Sequence, residues 1–127
     1  MSVPVPIDEL LAVVQKYEAV PLALTVDDDG RARAAAVRIE WPDHDEEQRR
    51  IAVLHCGHRT TANAQSRPLV SLIWPAPAGE RFALLVDGRV TGVELDPPPA
   101  DPAKSRTPGG RVTLELESAI LHVMQRH

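Results

Sequence analysis

Two periodicities alternate along the chain. Between Ile7 and Glu18 the apolar residues Ile7, Leu10, Leu11, Val13 and Val14 recur at the spacing of a helix face. Pro6 and Pro21 bracket this segment, and Asp8 and Glu9 suit the dipole of a first turn, so one short amphipathic helix is expected. The period then drops to two. Leu22 to Val26 reads as a strand, and Asp27-Asp28-Asp29-Gly30 reads as a hairpin turn in which Gly30 can take a positive φ. The returning strand, Arg31 to Trp41, alternates: Arg31, Arg33, Ala35, Val37, Ile39 and Trp41 face one way, and Ala32, Ala34, Ala36, Arg38 and Glu40 the other.

The polar segment Pro42 to Arg50 reads as a surface loop, and Ile51 to Cys56 as a third strand that Gly57 ends. Arg59 to Ser66 has room for about two helical turns before Arg67-Pro68. Leu69 to Trp74 is a fourth strand, followed by a Pro-Ala-Pro-Ala-Gly loop. Arg81 to Leu95 is a long strand interrupted at Asp87-Gly88, which can be either a tight hairpin turn or a bulge in one bent strand. Asp96 to Gly110, rich in Pro and Gly, reads as an exposed irregular loop, and Arg111 to Val123 as a final strand. Six strands, a first helix and one small inserted helix indicate a mainly β protein, a barrel with helical decoration.

Composition narrows this picture. With 127 residues a single domain spanning 1–127 is the default, large enough for a core but not for a spacious internal cavity. Aromatic residues are only 3%, namely Tyr17, Trp41, Trp74 and Phe82, so the core is expected to consist of Val, Leu, Ile and Ala. A formal charge of −4 argues against a general nucleic-acid or anionic-membrane surface. One cysteine, Cys56, permits no intrachain disulfide and fits a reducing compartment; no basic leader or membrane-length apolar run is present, so a soluble cytoplasmic protein is expected.

The densest polar cluster is His55-Cys56-Gly57-His58-Arg59-Thr60-Thr61-Ala62-Asn63, where a strand ends and a helix begins. A helix start presents unpaired N–H groups and positive potential, and an Arg with two hydroxyls would complete a phosphate cradle. A plainer reading has Thr60 or Thr61 capping the helix and Arg59 solvated. Zinc at His55, Cys56 and His58 is disfavoured, because three ligands are too few and adjacent strand residues point apart; no metal is expected. Cysteine catalysis at Cys56 is disfavoured equally, and carboxylate chemistry in the run Asp43 to Glu47 at least as much, since a lone cysteine at a strand end is usually packed and a loop charge run is usually solvated. A second feature is Arg33-Ala34-Ala35-Ala36-Val37-Arg38, whose low bulk would let a flat aromatic ligand approach the backbone, unless it simply lies under a covering helix.

The order of these pieces resembles a family. A helix, a strand pair around Asp-Asp-Gly, Arg33-x-x-x-x-Arg38, Gly57-His58-Arg59-Thr60-Thr61-Ala62-Asn63, Pro68-Leu69-Val70-Ser71-Leu72-Ile73-Trp74-Pro75 and Val86-Asp87-Gly88-Arg89-Val90 are similar to the pyridoxamine 5′-phosphate oxidase-like, FMN-binding split-barrel family, from about Leu22 to Val123. The resemblance implies a six-stranded antiparallel Greek-key split barrel, working as a homodimer with flavin in a groove between subunits. That agrees with size, because a small barrel is filled by its own side chains and must bind a cofactor outside.

By the same resemblance, Arg33 and Arg38 are the basic positions of the flavin-binding strand, with Ala34 and Ala35 along the cofactor. Val53 and Leu54 are the flavin-contacting pair of the next strand, and His58 and Arg59 match a Ser-Arg phosphate motif. Thr60 stands where the oxidases carry a phosphate-binding Lys, and Phe82 where they have a Gln near the ring; Thr60 and Thr61 would supply hydroxyls instead. The likeness does not include the oxidases' C-terminal substrate-binding extension, so pyridoxamine phosphate oxidation is not the expected reaction. What the resemblance implies is an FMN-dependent oxidoreductase acting on a small molecule, with a deazaflavin-dependent reductase or a non-catalytic flavin-binding dimer as alternatives. No catalytic acid or base is identified.

Overall fold

The computed structural model describes residues 2–42, 50–98, 100–101 and 109–123. Its elements are β1 (Ser2–Val5), a 3₁₀ turn (Ile7–Glu9), α1 (Leu10–Val14), β2 (Leu22–Val26), β3 (Ala32–Ala36), β4 (Arg38–Glu40), β5 (Ile51–Cys56), α2 (His58–Ser66), β6 (Leu69–Trp74), β7 (Phe82–Leu95) and β8 (Gly110–Val123). All strand pairs are antiparallel, in the order β3-β2-β6-β7-β8-β5-β4, with β1 added alongside β8. The two outer strands of that order, β3 and β4, are consecutive pieces of one chain segment. The sheet therefore curls until its edges meet at Val37, which is 3% exposed and donates its N–H to Pro21 O at 3.1 Å. No described helix is long and apolar enough to cross a membrane.

The expected single strand Arg31 to Trp41 is thus two, because each half pairs with a different edge: Leu22↔Ala36 to Val26↔Ala32 on one side, Arg38↔His55 to Glu40↔Val53 on the other. The predicted alternation survives the break. Arg33, Ala35 and Ile39 are half-buried and Val37 buried, while Ala32, Ala34, Ala36, Arg38 and Glu40 are exposed. β1 was not expected; Ser-Val-Pro-Val is too short to show a period, and it is ordered by pairing with the far half of β8, Ser2↔His122 to Val5↔Ala119. With β1 and the split strand, eight strands replace the expected six.

The expected first helix is shorter than Ile7 to Glu18. It opens as a 3₁₀ turn and ends near Val14, where Lys16 and Tyr17 donate to Val13 O and Val14 O in tightened i→i+3 bonds. Asp87-Gly88 is a bulge: β7 continues through it against both β6 and β8, with register shifts at Asp87/Gly88 and Val90/Gly92. The Asp27 to Gly30 turn forms as read, with Gly30 at φ 83°. Most of the loop Asp96 to Gly110 and residues 43–49, which include the acidic run, lie outside the described residues; the loop's described ends meet where Asp96 N–H donates to Gly109 O at 2.9 Å.

Alternate residues of every long strand point inward, and the core is Leu and Val with small Ala: Leu54, Leu72, Leu84, Leu114, Leu116, Val86 and Val112 are all at most 1% exposed. Trp74, the last residue of β6, modifies the aliphatic expectation, being 1% exposed within the same core cluster. The helices cover opposite ends of the β7–β8 pair. On α1, Leu10 and Val14 are buried, and Tyr17 just beyond it donates its hydroxyl to Phe82 O at 2.9 Å. At the other end α2 buries Thr61 and Ala64 near Gly110. Side chains and helices fill the inside, so a large ligand has only the outer surface.

The approach of the β8 start to the β5–α2 junction demands glycine. A Cβ on Gly109 would overlap the Cys56 carbonyl oxygen, and one on Gly110 would stand 2.6 Å from Glu94 O. Gly109→Ala or Gly110→Ala is expected to lose about 1–3 kcal/mol in urea unfolding, as overpacking does. Gly92→Ala, whose Cβ meets nothing within 4 Å, should stay within about 0.5 kcal/mol of wild type.

Candidate functional site

Gly57 interrupts the apolar alternation of β5 and, in extended conformation (φ −70°, ψ 174°), becomes the N-cap of α2. Having no side chain, it leaves the first-turn N–H groups without a side-chain acceptor. Thr61 does not cap either: its Oγ1 donates to Gly57 O at 2.8 Å, and the residue is fully buried. Thr60 is 7% exposed, and its hydroxyl has no hydrogen-bond partner among the described residues. Arg59 is likewise without a hydrogen bond or ion pair among them. With His58, Ala62 and Asn63 it lines a pocket of about 390 Å³ whose other wall is Asp27, Asp28 and Asp29.

The acidic wall is largely neutralised from within. Asp27 receives Arg33 Nε on Oδ2 and the Asn63 amide on Oδ1 at 2.8 Å; that same amide reaches Thr25 Oγ1 at 3.1 Å. Asp28 holds Arg67 at 3.0 Å, and Asp29 accepts the Arg31 backbone N–H at 3.0 Å. These bonds tie the β2–β3 hairpin to α2. The hydrogen bonds from Asn63 and Arg33, aided by the charges of Arg33 and Arg59, hold the Asp27 carboxyl below the usual carboxylate range despite its burial.

A second constellation lies on the outer face of β4, β5, β8 and β7. Strand register lines up Arg38, His55, Arg111 and Glu94 in one row. Arg111 is bound to Glu94 at 2.8 Å, and His55 Nε2 lies 3.1 Å from Glu40 Oε2. Arg38 has no ion-pair partner among the described residues. Two adjoining hollows sit here, of about 410 Å³ around Arg38, Ile39 and His55 and about 450 Å³ around Val53, Val93 and Thr113; Glu40 and Arg111 line both.

The expected site residues therefore fall into three placements. Arg38, Val53, His58 and Arg59 line outer pockets, and Ala34 is exposed between the two constellations along the β3–β4 segment. Arg33 is committed to Asp27, and Ala35 points to the inner side of β3. Leu54 and Thr61, at most 1% exposed, belong to the interior, and Thr60 is buried in the first turn of α2. No helix covers Ala32, Ala34 and Ala36 among the described residues, which removes the buried-strand alternative. Cys56 points inward, and burial pushes its thiol up to about 11, a protonated and weakly nucleophilic state at neutral pH.

Residues that local pattern reading passed over are Asp27, His55 as a partner of Glu40, Arg111 and Glu94. Asn63 ended a motif already noted, but its partner lies 36 residues away and only the fold reveals it.

No protein-family model and no curated protein sequence matches the chain. Sixteen solved chains match in structure. One is an F420 reductase, 15% identical with a TM-score of 0.62, covering 84% of this chain and 93% of its own. Another is an FMN-binding protein from Syntrophomonas wolfei subsp. wolfei, 8% identical with a TM-score of 0.61, covering 91% and 84%. A third is HupZ of Group A Streptococcus, 11% identical with a TM-score of 0.58, covering 87% and 89%. The fold is a split β-barrel. In this split barrel the strand count exceeds the expected six through β1 and the break at Val37, while the antiparallel curl and two helices are as expected.

The Asp27 network carries a pH signature. Its folded pKa lies below that of the unfolded chain, so its stabilisation is fully present above about pH 4 and disappears as pH falls through the lowered value. Asp27→Asn should flatten the acid limb of the urea midpoint between about pH 5 and pH 2. An unchanged slope would assign the acid sensitivity to other carboxylates.

Proposed function

We propose that two copies of this split barrel hold a phosphate-bearing flavin, FMN or a deazaflavin, on their outer faces and act as an oxidoreductase on a small molecule. The observation that carries this reading is the set of donors at the start of α2 that are unused among the described residues: an N-cap without a side chain, a buried Thr60 hydroxyl and an Arg59 beside a pocket, neither with a partner among those residues. A buried hydroxyl without a hydrogen bond costs about 1–3 kcal/mol, which an anion or ordered water at this place would offset. Arg59 lines the pocket, and the first turn of α2, with its N–H groups and the Thr60 hydroxyl, begins beside it, which suits an anion such as a phosphate. Thr60 supplies a hydroxyl where the oxidases carry Lys; Thr61, spent on Gly57, supplies none.

The exposed Ala34 and Ala36 leave the outer face of β3 flat enough for a ring system, and Val53 lines the neighbouring hollow. Arg38, exposed at the start of β4, would favour negative charge on such a ring. A bound flavin or deazaflavin supplies hydride transfer; this chain's residues bind it, orient it and exclude water from one side. That the neighbouring folds include both an F420 reductase and an FMN-binding protein supports this class of cofactor and keeps both members in play.

The second copy is supported by an apolar row across the outer sheet. Register places Ala36, Leu22, Ile73, Leu85 and Ile120 side by side on five strands, all outward-facing, with Leu24 beside them and Leu69 60% exposed. A continuous apolar strip on a sheet face is a docking surface, and it abuts the alanine strand where the ring would lie.

Titration with FMN, riboflavin and F420, read by flavin absorbance and fluorescence, tests the reading. Wild type should form a saturable complex with FMN or F420, and Arg59→Ala should weaken FMN about ten- to a hundredfold while leaving riboflavin nearly unchanged. No saturable complex with any of the three would overturn it. By sedimentation at micromolar concentration the wild-type chain should be a dimer, and Ile73→Lys should be monomeric and bind flavin poorly; a wild-type monomer would contradict the shared site.

A further inference from the structure

Asp27 and Arg59 line the same pocket, and the Arg59 charge is near enough to favour the Asp27 carboxylate, yet no hydrogen bond or ion pair joins them. A carboxylate within reach of a guanidinium frequently forms a bidentate pair with it. Here both carboxylate oxygens are already engaged: Oδ1 by the Asn63 amide at 2.8 Å, and Oδ2 by Arg33 Nε. Asn63 is itself held, 6% exposed, with its amide also on Thr25 Oγ1 at 3.1 Å. Arg33, on the inner side of β3, comes from the strand opposite Thr25.

We propose that Asn63 and Arg33 are positioning residues that occupy the Asp27 carboxylate and so keep Arg59 free to receive an anion. This rests on the reading of α2 as the phosphate end of the site, and adds what sets its availability. The Asp27 carboxylate joins the β2–β3 hairpin to α2 through Asn63, but its charge, if released, would capture the cation that the ligand requires. Arg33 thus acts from behind Asp27 rather than on the ligand. Losing either partner should leave a carboxylate oxygen that pairs with Arg59 and competes with the ligand.

The test is a rescue. Asn63→Ala should weaken FMN about ten- to a hundredfold with little change for riboflavin, and adding Asp27→Asn should restore FMN binding. Because Asn63 is buried, where a substitution can itself block folding, Arg33→Gln, at a part-exposed position, and Arg33→Gln with Asp27→Asn repeat the pair. Rescue in either pair supports the proposal. Equal loss of FMN and riboflavin, or no restoration by Asp27→Asn, overturns it, since a packing defect or a lost direct contact from Arg33 is not repaired by removing a carboxylate.

Inorganic phosphate, titrated while the Arg59 Nε–H resonance is followed by NMR, separates this proposal from the flavin reading. The resonance should respond in wild type, respond weakly in the single variants and recover in the double variants. A phosphate response with that pattern but no flavin binding would remove the cofactor and leave the positioning role intact. Flavin binding indifferent to Asn63 and Arg33 would remove the positioning role alone. An Arg59 resonance that ignores both phosphate and FMN in wild type overturns the proposal.

Discussion

A short segment, Ala32 to Glu40, must satisfy the backbone hydrogen bonds of two sheet edges, those of β2 and β5, that lie four pairings apart. Unpaired edges cost hydrogen bonds and invite association with other chains, and closure removes that liability. The segment meets both demands by changing partners at Val37, whose N–H leaves the ladder for Pro21 O while its side chain enters the core. Because the break does not alter side-chain parity, Ala34, Ala36, Arg38 and Glu40 all stay on the outside. The exposure of this row of candidate site residues is therefore a consequence of how the barrel closes.

Closure also decides where a ligand can go. The inward residues are packed Leu and Val around Trp74, and α1 and α2 cover the ends of the long β7–β8 pair. What remains is a shell of outer hollows and the start of α2, pressed against β8 where Gly109 and Gly110 admit no side chain. In the proposed function, that geometry makes a single copy insufficient: an outer face holds a ring on one side only, and water is excluded from the other only by a second surface. In the same proposal, the apolar row from Ala36 to Ile120 is where the second copy would sit.

Much of the fold was legible because local physics and tertiary demand agree. The period-two pattern of Arg33, Ala35, Val37 and Ile39 is the inward face, Gly57 and Arg67-Pro68 bound α2, and the Asp-rich turn needs its glycine. The failures share a cause: they depend on partners remote in sequence. β1 exists because β8 is long enough to receive it, the strand breaks at Val37 because two edges compete for it, and Asp87-Gly88 stays extended because β6 and β8 hold it from both sides. For the site, Val53 and Leu54 were named together from family likeness, yet neighbours in a strand face opposite ways, and Leu54 accordingly lies in the core. The row Arg38, His55, Arg111 and Glu94 joins four strands and has no local signature.

The charge arithmetic becomes local in the same way. A formal −4 says little about a site in which three aspartates face His58 and Arg59 across one pocket. What matters there is which charges are already paired. Asp27 and Asp28 are occupied by Arg33, Asn63 and Arg67, and Asp29 by a backbone N–H, whereas among the described residues Arg59 has no partner and the α2 N-cap makes no side-chain hydrogen bond. An acidic wall neutralised from its own side need not repel a phosphate, and it fixes the hairpin that carries Ala32 to Ala36. The carboxylates are thus part of the scaffold that presents the cation, provided their own partners hold them.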